Sequence, residues 1–129
     1  MSNTFKVEIA HCNKQLSAKE KVQIKDTGDA ISLDTATLEA EGHSLMIMPA
    51  IYAELAVHNE KSANKDYVVF VIIDADGTKY VTSSTSFWNS FTNIADEMAD
   101  AGEEDFEIKV YRRPSKNYSG KEFITCSLA

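Results

Sequence analysis

The segment YVVFVIIDADGTKYVT, residues 67–82, decides the fold class of this chain. Its first half, from Tyr67 to Ile73, consists of β-branched and aromatic residues, which favour an extended strand. A polar stretch with Gly77 follows, and a second β-rich run then ends at Thr82. This pattern predicts a β-hairpin with a short glycine-containing turn. Both faces of the first strand are apolar, so we expect it to lie in the centre of its sheet.

One long helix is predicted directly after this hairpin. Apolar residues recur at the i, i+3/i+4, i+7 spacing of one helix face. They are Phe87, Trp88, Phe91, Ile94, Ala95 and Met98. Ser83, Ser84 or Thr85 is a suitable N-cap, and Gly102 lies just past the last periodic position. Aromatic residues at helical spacing usually belong to a core, so we assign Trp88 to the core rather than to a base-stacking platform.

Two further strands are predicted after the helix. The strict alternation of residues 106–113 places three apolar side chains on one face, namely Phe106, Ile108 and Val110. The other face carries polar side chains, namely Glu107, Lys109, Tyr111 and Arg113. Residues 114–121 are rich in turn formers and predict a loop. Residues 122–128 then form a last strand with Ile124, Cys126 and Leu128 on one side, which completes a hairpin with a long tip.

The first part of the chain carries weaker patterns. Residues 45–48 and 50–58 are predicted as strands, although the second range also suits a short helix. Residues 5–11 and 20–25 alternate as strands do. Residues 26–44 are rich in turn formers and poorly periodic.

The order of elements from residue 45 onward predicts the fold. It is strand, strand, strand, helix, strand, strand, which is the connectivity of the OB-fold, a small Greek-key barrel. No linker divides the chain. We therefore expect one OB-fold-like domain over residues 1–129, mainly β with one principal helix. Its barrel core would occupy residues 45–128, and extra N-terminal strands and a loop would occupy residues 1–44.

The charges are distributed unevenly along the chain. The formal net charge is -7, and an acidic total usually argues against nucleic acid as a ligand. Between Tyr80 and Ile108, however, there is no Lys or Arg, and seven acids occur: Asp96, Glu97, Asp100, Glu103, Glu104, Asp105 and Glu107. Residues 109–121, which we call the basic segment, then contain five cations and no acid: Lys109, Arg112, Arg113, Lys116 and Lys121.

The basic segment has the composition of a surface for single-stranded nucleic acid. Such surfaces combine cations that follow the phosphates with aromatic rings that stack on bases. In an OB-fold the predicted loop 114–121 and the loop at 59–66 flank the nucleic-acid groove. The predicted nucleic-acid-binding residues are therefore Lys61, Lys65, Lys109, Tyr111, Arg112, Arg113, Lys116, Tyr118 and Lys121. The alternative is a solvated hairpin whose lysines prevent aggregation of an edge strand.

Patterns typical of catalytic and metal sites are weak. Asp26-Thr-Gly28 matches the loop of aspartic proteases, but those enzymes need two such loops and one copy is present, so a plain turn is the better interpretation. The candidate zinc ligands include no C-x-x-C motif and no closely spaced histidine pair, so a structural zinc site is not favoured. They are His11, Cys12, His43, His58 and Cys126. No phosphate-binding glycine loop or nucleophile elbow occurs. We expect no enzymatic activity, no metal and no cofactor.

The composition also bears on location and redox state. The longest apolar run, residues 67–73, is too short to span a bilayer, and the N-terminal residues carry no signal-peptide pattern. We therefore expect a cytoplasmic protein without a membrane partner. Two cysteines are too few for a disulfide scaffold, so reduced thiols are favoured, with one bridge between Cys12 and Cys126 as the alternative.

Two segments resemble a known family. GTKYVTSSTSFWNSF (residues 77–91) and SKNYSGKEFITCSL (residues 115–128) are similar to segments of small phage and prophage single-stranded-DNA-binding proteins of Gram-positive bacteria. The matching residues near the chain's end are Lys116, Tyr118, Lys121 and Phe123. The resemblance implies an OB-fold protein that coats single-stranded DNA without strong sequence preference during replication or recombination in a bacterial host's cytoplasm. It also implies a homo-oligomer, a dimer or higher, and replication or recombination proteins as partners.

Two other functions are compatible with the same residues. The acids of 96–107 would be the working surface of an inhibitor that mimics DNA. Alternatively, apolar strand edges would serve an oligomeric adaptor with no role in nucleic-acid binding. Many proteins of the resembling class dock partners through an acidic tail, whereas this sequence ends in Cys126-Ser-Leu-Ala129. The acidic stretch would then replace such a tail or shield the DNA groove.

Overall fold

The structure is a computed structural model that describes residues 5–61, 66–103, 105–114 and 122–129. The strands in these ranges are β1 (Phe5–Cys12), β2 (Ile31–Ser32), β3 (Ser44–Ile47), β4 (Pro49–Asn59), β5 (Asp66–Asp74), β6 (Lys79–Thr82), β7 (Ile108–Pro114) and β8 (Glu122–Leu128). The α-helices are α1 (Ala18–Lys25), α2 (Leu33–Glu39) and α3 (Thr85–Asp100), and a 3-10 turn covers Glu41–His43. None of the described helices is long and apolar enough to cross a membrane.

The strands form two sheets. The larger sheet has the order β1-β4-β5-β6-β2, and the smaller sheet has the order β3-β7-β8. Neighbours pair antiparallel, except that β2 pairs parallel with β6. β3 and β4 are separated only by Met48, yet they belong to different sheets. The extended segment from β3 to β4 is interrupted only at Met48, and there the chain crosses from the smaller sheet to the larger one.

The hairpin predicted from residues 67–82 is confirmed. The backbone N–H of Asp74 donates to the carbonyl of Thr78 at 2.8 Å, and the N–H of Gly77 donates to the carbonyl of Asp74 at 2.8 Å. Gly77 has a φ of 94°, a backbone conformation that residues other than glycine rarely adopt. As predicted, β5 lies inside the larger sheet, between β4 and β6.

The predicted long helix is also confirmed, with its caps. The Ser84 hydroxyl accepts a hydrogen bond from the backbone N–H of Phe87 at 3.2 Å, which satisfies one of the unpaired donors of the first turn. At the other end Gly102 has a φ of 76°, as expected of a residue that terminates a helix. α3 buries Phe87, Trp88, Phe91 and Ala95, so its aromatic residues belong to the core.

The main core lies between α3 and the inner faces of the two sheets. Its buried members are Leu33, Ile47, Phe70, Ile72, Phe87, Trp88, Phe91, Ala95, Phe106, Ile108, Val110, Ile124 and Cys126. A second cluster lies on the opposite face of the larger sheet, where α1 contributes Ile24 against Ala53, Leu55 and Val71. The larger sheet is therefore apolar on both faces along β5, as its sequence predicts.

Helix α1 corrects the expectation that residues 20–25 form a strand. The Ser17 hydroxyl accepts from the N–H of Glu20, and the Glu20 carboxylate accepts from the N–H of Ser17. This reciprocal capping box starts a helix and outweighs the alternation of Val22 and Ile24. Only Ile24 is buried, whereas Val22 is exposed. The turn-rich range 26–44 likewise contains a helix, α2.

The chain is mainly β with one principal helix and is OB-like, but its sheets do not close into a barrel within the described residues. Two observations explain why. The free edge of β6 is taken by β2, and α3 packs along β8, where the Thr125 hydroxyl donates to the Ser90 hydroxyl at 3.2 Å. β6 and β8 therefore do not meet as neighbouring strands.

Candidate nucleic-acid interface

The smaller sheet has one apolar and one mixed face. Its inner face is buried in the main core through Ile47, Ile108, Val110, Ile124 and Cys126. Because side chains alternate along a strand, the intervening residues lie on the outer face. The residues of this outer face include Met46, Lys109, Tyr111, Arg113, Phe123, Thr125 and Ser127. We call them the outer face of the smaller sheet.

The strand register sets which of these side chains are neighbours. Lys109 of β7 lies opposite Met46 of β3 on one side and opposite Ser127 of β8 on the other. Arg113 lies opposite Phe123. Side chains that face each other across antiparallel strands are roughly 4.5–5.5 Å apart at Cβ. The register therefore builds a row of cation, ring and cation along β7, with apolar side chains beside both cations.

The outer face is open to solvent except at Thr125, which lies opposite Tyr111 and is buried where its hydroxyl donates to Ser90 of α3. Lys109 and Arg113 are exposed and Tyr111 is half-buried. Met46 is 47% exposed and Phe123 is 37% exposed. Met46 and Phe123 lie at opposite ends of the row, each beside one cation. Exposed apolar side chains beside cations are typical of a binding surface, and an exposed ring such as that of Phe123 can stack on a nucleic-acid base.

Sequence reasoning placed Lys109, Tyr111 and Arg113 on one face, and the structure confirms that placement. Met46 was not predicted as a site residue, and Phe123 entered only through the family resemblance. The signal for both is the same alternation, Met46 within Leu45-Met-Ile47 and Phe123 within Glu122-Phe-Ile124. Their position beside β7 depends on strand register, which the sequence alone does not specify.

Arg112 lies apart from these residues. It alternates with Tyr111 and Arg113, so it takes the side of β7 to which Val110 belongs and is half-buried. It also has an interaction partner. The structure therefore does not bring Arg112 to the outer face, although the sequence groups it with the other cations.

Lys61 also lies elsewhere. It follows β4 at the end of the larger sheet, where its backbone N–H donates to the Asn59 side-chain oxygen at 3.0 Å. β4 pairs with neither β7 nor β8. The other predicted site residues, Lys65, Lys116, Tyr118 and Lys121, lie outside the described residues.

A second group of cations was not predicted. Lys14, Lys21 and Lys25 line one cavity between β1 and α1, together with Glu8, Ile9, Cys12, Gln15 and Leu16. Lys21 and Lys25 are four residues apart and therefore share one side of α1, which is the sequence signal for them. No aromatic residue lines this cavity, so it offers charge for phosphates but no ring for bases.

The comparison with known families decides the class of the chain. A family model described as "Phage Single-stranded DNA-binding protein", of the Phi29 type, matches residues 17–129. The chain belongs to this family of phage single-stranded DNA-binding proteins. The match includes β3, β7 and β8, and so the whole outer face of the smaller sheet. Binding of single-stranded DNA, with a typical role in replication, is the function of the family.

Two further comparisons complete this result. Neither the curated proteins nor the solved structures include a significant match to the chain. β1 ends at Cys12 and therefore lies before the residues that the family model matches. In this phage single-stranded DNA-binding protein, edge strand β1 is therefore not covered by the family model.

The acidic stretch lies on α3 and on the segment that follows it. Its described acids are all exposed: Asp96, Glu97, Asp100, Glu103, Asp105 and Glu107. Asp96 lies close enough to Tyr52 for its charge to raise the pKa of that phenol, although burial of the ring is the larger cause. The stretch is therefore a solvated acidic surface in this phage single-stranded DNA-binding protein, beginning on the last turns of α3.

The cysteines and histidines do not assemble a metal site in the part of the chain that is described. Both cysteines are free thiols, which overturns the alternative of a Cys12–Cys126 bridge. Burial raises the pKa of the Cys126 thiol to about 12. Cys126 is thus a protonated core side chain at neutral pH rather than a reactive thiolate.

Proposed function

We propose that this chain binds single-stranded DNA through the outer face of the smaller sheet and coats the strand without strong sequence preference. The observation that carries the proposal is the row formed by Lys109, Tyr111 and Arg113 beside the exposed Met46 and Phe123. Cations attract any phosphate and rings stack on any base, so neither contact selects a sequence.

The spacing of the row suits this ligand. Lys109 and Arg113 are four residues apart on an extended strand, which corresponds to roughly 13 Å, with Tyr111 midway. A base stacked on Tyr111 would thus have a cation on each side for the flanking phosphates. Duplex DNA keeps its bases inside the helix, so the same surface would offer it only the electrostatic contacts. Preference for single strands then comes from the rings.

The basic segment extends this surface in our proposal. Lys116, Tyr118 and Lys121 follow β7 in the chain. Lys61 and Lys65, which lie outside the basic segment, follow β4 of the larger sheet and would bind phosphates there. Arg112 would contact DNA from the other side of β7, the side to which Val110 belongs. We regard the chain as one non-enzymatic DNA-binding domain of the host cytoplasm, since its ligand is replicating or recombining phage DNA.

Oligonucleotide binding at several salt concentrations tests the proposal. Fluorescence anisotropy should show tighter binding of oligo-dT than of a duplex of equal length. The slope of log K against log salt should be about -0.7 per phosphate contacted. The double variant Lys109→Ala/Arg113→Ala should bind more weakly, with a slope whose magnitude falls by somewhat under 1 for each charge removed.

Lys19→Ala is the matched control, because Lys19 is an exposed cation on α1, away from the smaller sheet. It should bind like the parent. Equal affinity for single strands and duplex would contradict the proposal, as would parental binding by the double variant. If the protein bound no DNA and instead displaced DNA from a DNA-binding enzyme, the acidic DNA-mimic function would be favoured.

We further propose that the chain is a homo-oligomer and that it meets other replication or recombination proteins on the DNA it coats. Self-association suits a coating protein because neighbouring copies then bind one strand together with a higher effective concentration. The exposed acidic stretch, which begins on α3, is available for a basic partner protein.

A further inference from the structure

Strand β1 has a free edge. It is the first strand of the larger sheet and pairs with β4. Within the described part of the chain its other edge faces no strand. The outward backbone N–H and C=O groups of such an edge are a template for another strand.

The side chains of β1 separate by face. Lys6 and Glu8 share one face, where the Lys6 Nζ and Glu8 Oε1 atoms are 2.9 Å apart and both side chains are largely exposed, at 66% and 62%. Val7 and Ile9 share the opposite face and pack against the second cluster, although both remain half-buried. A strand added to this edge would cover the part of Val7 and Ile9 that is still open to solvent.

We propose that two copies of this chain pair antiparallel through β1, about a two-fold axis at Val7, so that the larger sheet continues across the dimer. Val7 would then face Val7 of the partner subunit. Lys6 would face Glu8 of the partner subunit, and Glu8 would face Lys6 of the partner subunit. The interface would thus contain two cross-strand ion pairs, and each copy would supply the lysine of one pair and the glutamate of the other.

Charge complementarity selects this register. Moving the pairing two residues in one direction would place Lys6 opposite Lys6 of the partner subunit. Moving it two residues in the other direction would place Glu8 opposite Glu8 of the partner subunit. Like charges directly opposite each other destabilise a strand pair, whereas opposite charges stabilise it. A shift of one residue would turn the apolar face of one strand toward the charged face of the other.

The geometry of β1 matches the same register. Pairing with β4 is regular from Phe5 to Ile9, and the register shifts between Ile9 and His11. The regular stretch is therefore five residues long and centred on Val7. Bulges and edge lysines usually prevent uncontrolled strand addition. Here they leave one short self-complementary stretch, which closes a dimer rather than an open fibre.

This inference rests on the self-association proposed above and does not involve the DNA-contacting residues. β1 belongs to the larger sheet, whereas the outer face belongs to the smaller one. β1 also precedes the residues matched by the family model. The dimer would therefore add an interface outside the matched part and leave the outer face of each copy free.

Charge exchange on β1 tests the interface. Sedimentation equilibrium of the full chain should show a dimer for the parent. Lys6→Glu and Glu8→Lys should each raise the dimer dissociation constant by roughly tenfold or more, because each places like charges opposite each other. An equimolar mixture of the two variants should recover the dimer, since a strand with two glutamates complements a strand with two lysines. The double variant Lys6→Glu/Glu8→Lys should also behave like the parent.

Cross-linking tests the two-fold axis independently. In a Cys12→Ser background, Val7→Cys should form a disulfide between subunits under mild oxidation. Ile9→Cys, the control, should not, because position 9 faces position 5 of the partner subunit. Thermal unfolding confirms that each variant is folded.

A monomeric parent would overturn both the interface and the proposed oligomer. A dimer that persists in both single-charge variants, or a mixture that stays monomeric, would overturn the interface alone. Oligonucleotide affinity per subunit is measured for the same variants. If it stays at the parental value while the dimer is lost, the DNA-binding proposal holds independently of the interface.

Discussion

The indole ring of Trp88 stacks on the ring of Phe70, with centroids 4.6 Å apart and ring planes 13° from parallel. This contact joins α3 to β5. On the same helix Phe91 meets Tyr52 of β4 edge-on, with centroids 4.8 Å apart. The aromatic residues of α3 therefore hold the helix against the larger sheet and belong to the core.

Loss of the Phe91 ring should destabilise the fold without a direct effect on DNA binding. Phe91 is fully buried, so Phe91→Ala removes ring contacts and leaves a cavity, which should cost roughly 3–5 kcal/mol of unfolding free energy. Urea denaturation measures it. Asn89→Ala, at an exposed position on the same helix, is the control. A nearly unchanged urea midpoint combined with lost DNA affinity would instead show that the aromatic residues of α3 bind DNA.

Tyr111 and Lys109 should contribute differently to DNA binding. Tyr111→Ala removes a stacking face and should weaken oligo-dT binding by roughly 1–3 kcal/mol while the salt slope stays nearly constant. Lys109→Ala removes a charge and should lower the magnitude of the slope by somewhat under 1. Lys19→Ala, at an exposed position on α1, lies outside the outer face of the smaller sheet and should bind like the parent. Identical salt slopes for all three variants would contradict this division of roles.

The same pair of substitutions in the loop extends the prediction to Tyr118 and Lys116. Tyr118→Ala should weaken single-strand binding by roughly 1–3 kcal/mol at a constant slope. Lys116→Ala should reduce the slope. Neither should lower the melting temperature much, because the polar sequence around both residues predicts that they are exposed. Unfolding of Tyr118→Ala would mean that this ring has a structural role.

Lys79 should stabilise α1 from a distant strand. Its Nζ donates to the carbonyl of Gln23 at 2.6 Å and to the carbonyl of Asp26 at 2.9 Å, which satisfies carbonyls at the end of a helix. Lys79→Met keeps most of the side-chain length but removes the donor, and it should cost roughly 1–3 kcal/mol. Relative to the parent, Lys79→Met should speed amide hydrogen exchange in α1 and leave exchange in β5 nearly unchanged. Lys19→Met is the control, and unchanged protection of α1 would refute the role.

His58 should make stability depend on pH. Its Nδ1 lies 2.7 Å from Asp66 Oδ1 and its Nε2 lies 2.7 Å from Glu60 Oε1. These hydrogen bonds, first that to Asp66, raise the pKa of His58 above its usual 6.5. A raised pKa in the folded state stabilises the protein fully below about pH 6.5, and that contribution is lost as the pH rises through the folded pKa.

The free energy of unfolding of the parent minus that of His58→Ala should therefore be larger below pH 6.5 than at alkaline pH. Asp66→Asn should reduce this pH dependence because the stronger partner of the imidazolium is removed. Urea titrations across the pH range measure both effects. A difference that grows with rising pH would have the wrong sign for this contact.

Much of the fold follows from local patterns. The β5–β6 hairpin and α3 could be predicted because their signals are adjacent in the chain, namely the Gly77 turn and the Ser84 cap. α1 was missed although Ser17-Ala-Lys-Glu20 carries the capping-box spacing. Its helix buries one residue, Ile24, and so lacks the apolar stripe by which helices are usually recognised.

The candidate site could be predicted along one strand but not across strands. Alternation placed Lys109 and Arg113 together with Tyr111, whereas Arg112 was predicted with them from its charge and lies on the other side of β7. The contribution of Met46 depends on the pairing of β3 with β7, which are about sixty residues apart in sequence. The sequence did not predict that the barrel stays open for the same reason. That outcome depends on the pairing of β2 with β6, which a local pattern does not show.

The break at Met48 has a mechanical consequence. The chain passes there from the smaller sheet into β4, the longest of the described strands, which is flanked by β1 on one side and by β5 on the other. In the proposed complex, a pull on the smaller sheet by bound DNA would reach the larger sheet in part through Met48 and β4. Because β4 is hydrogen-bonded to both β1 and β5, two neighbouring strands would help to hold it in place.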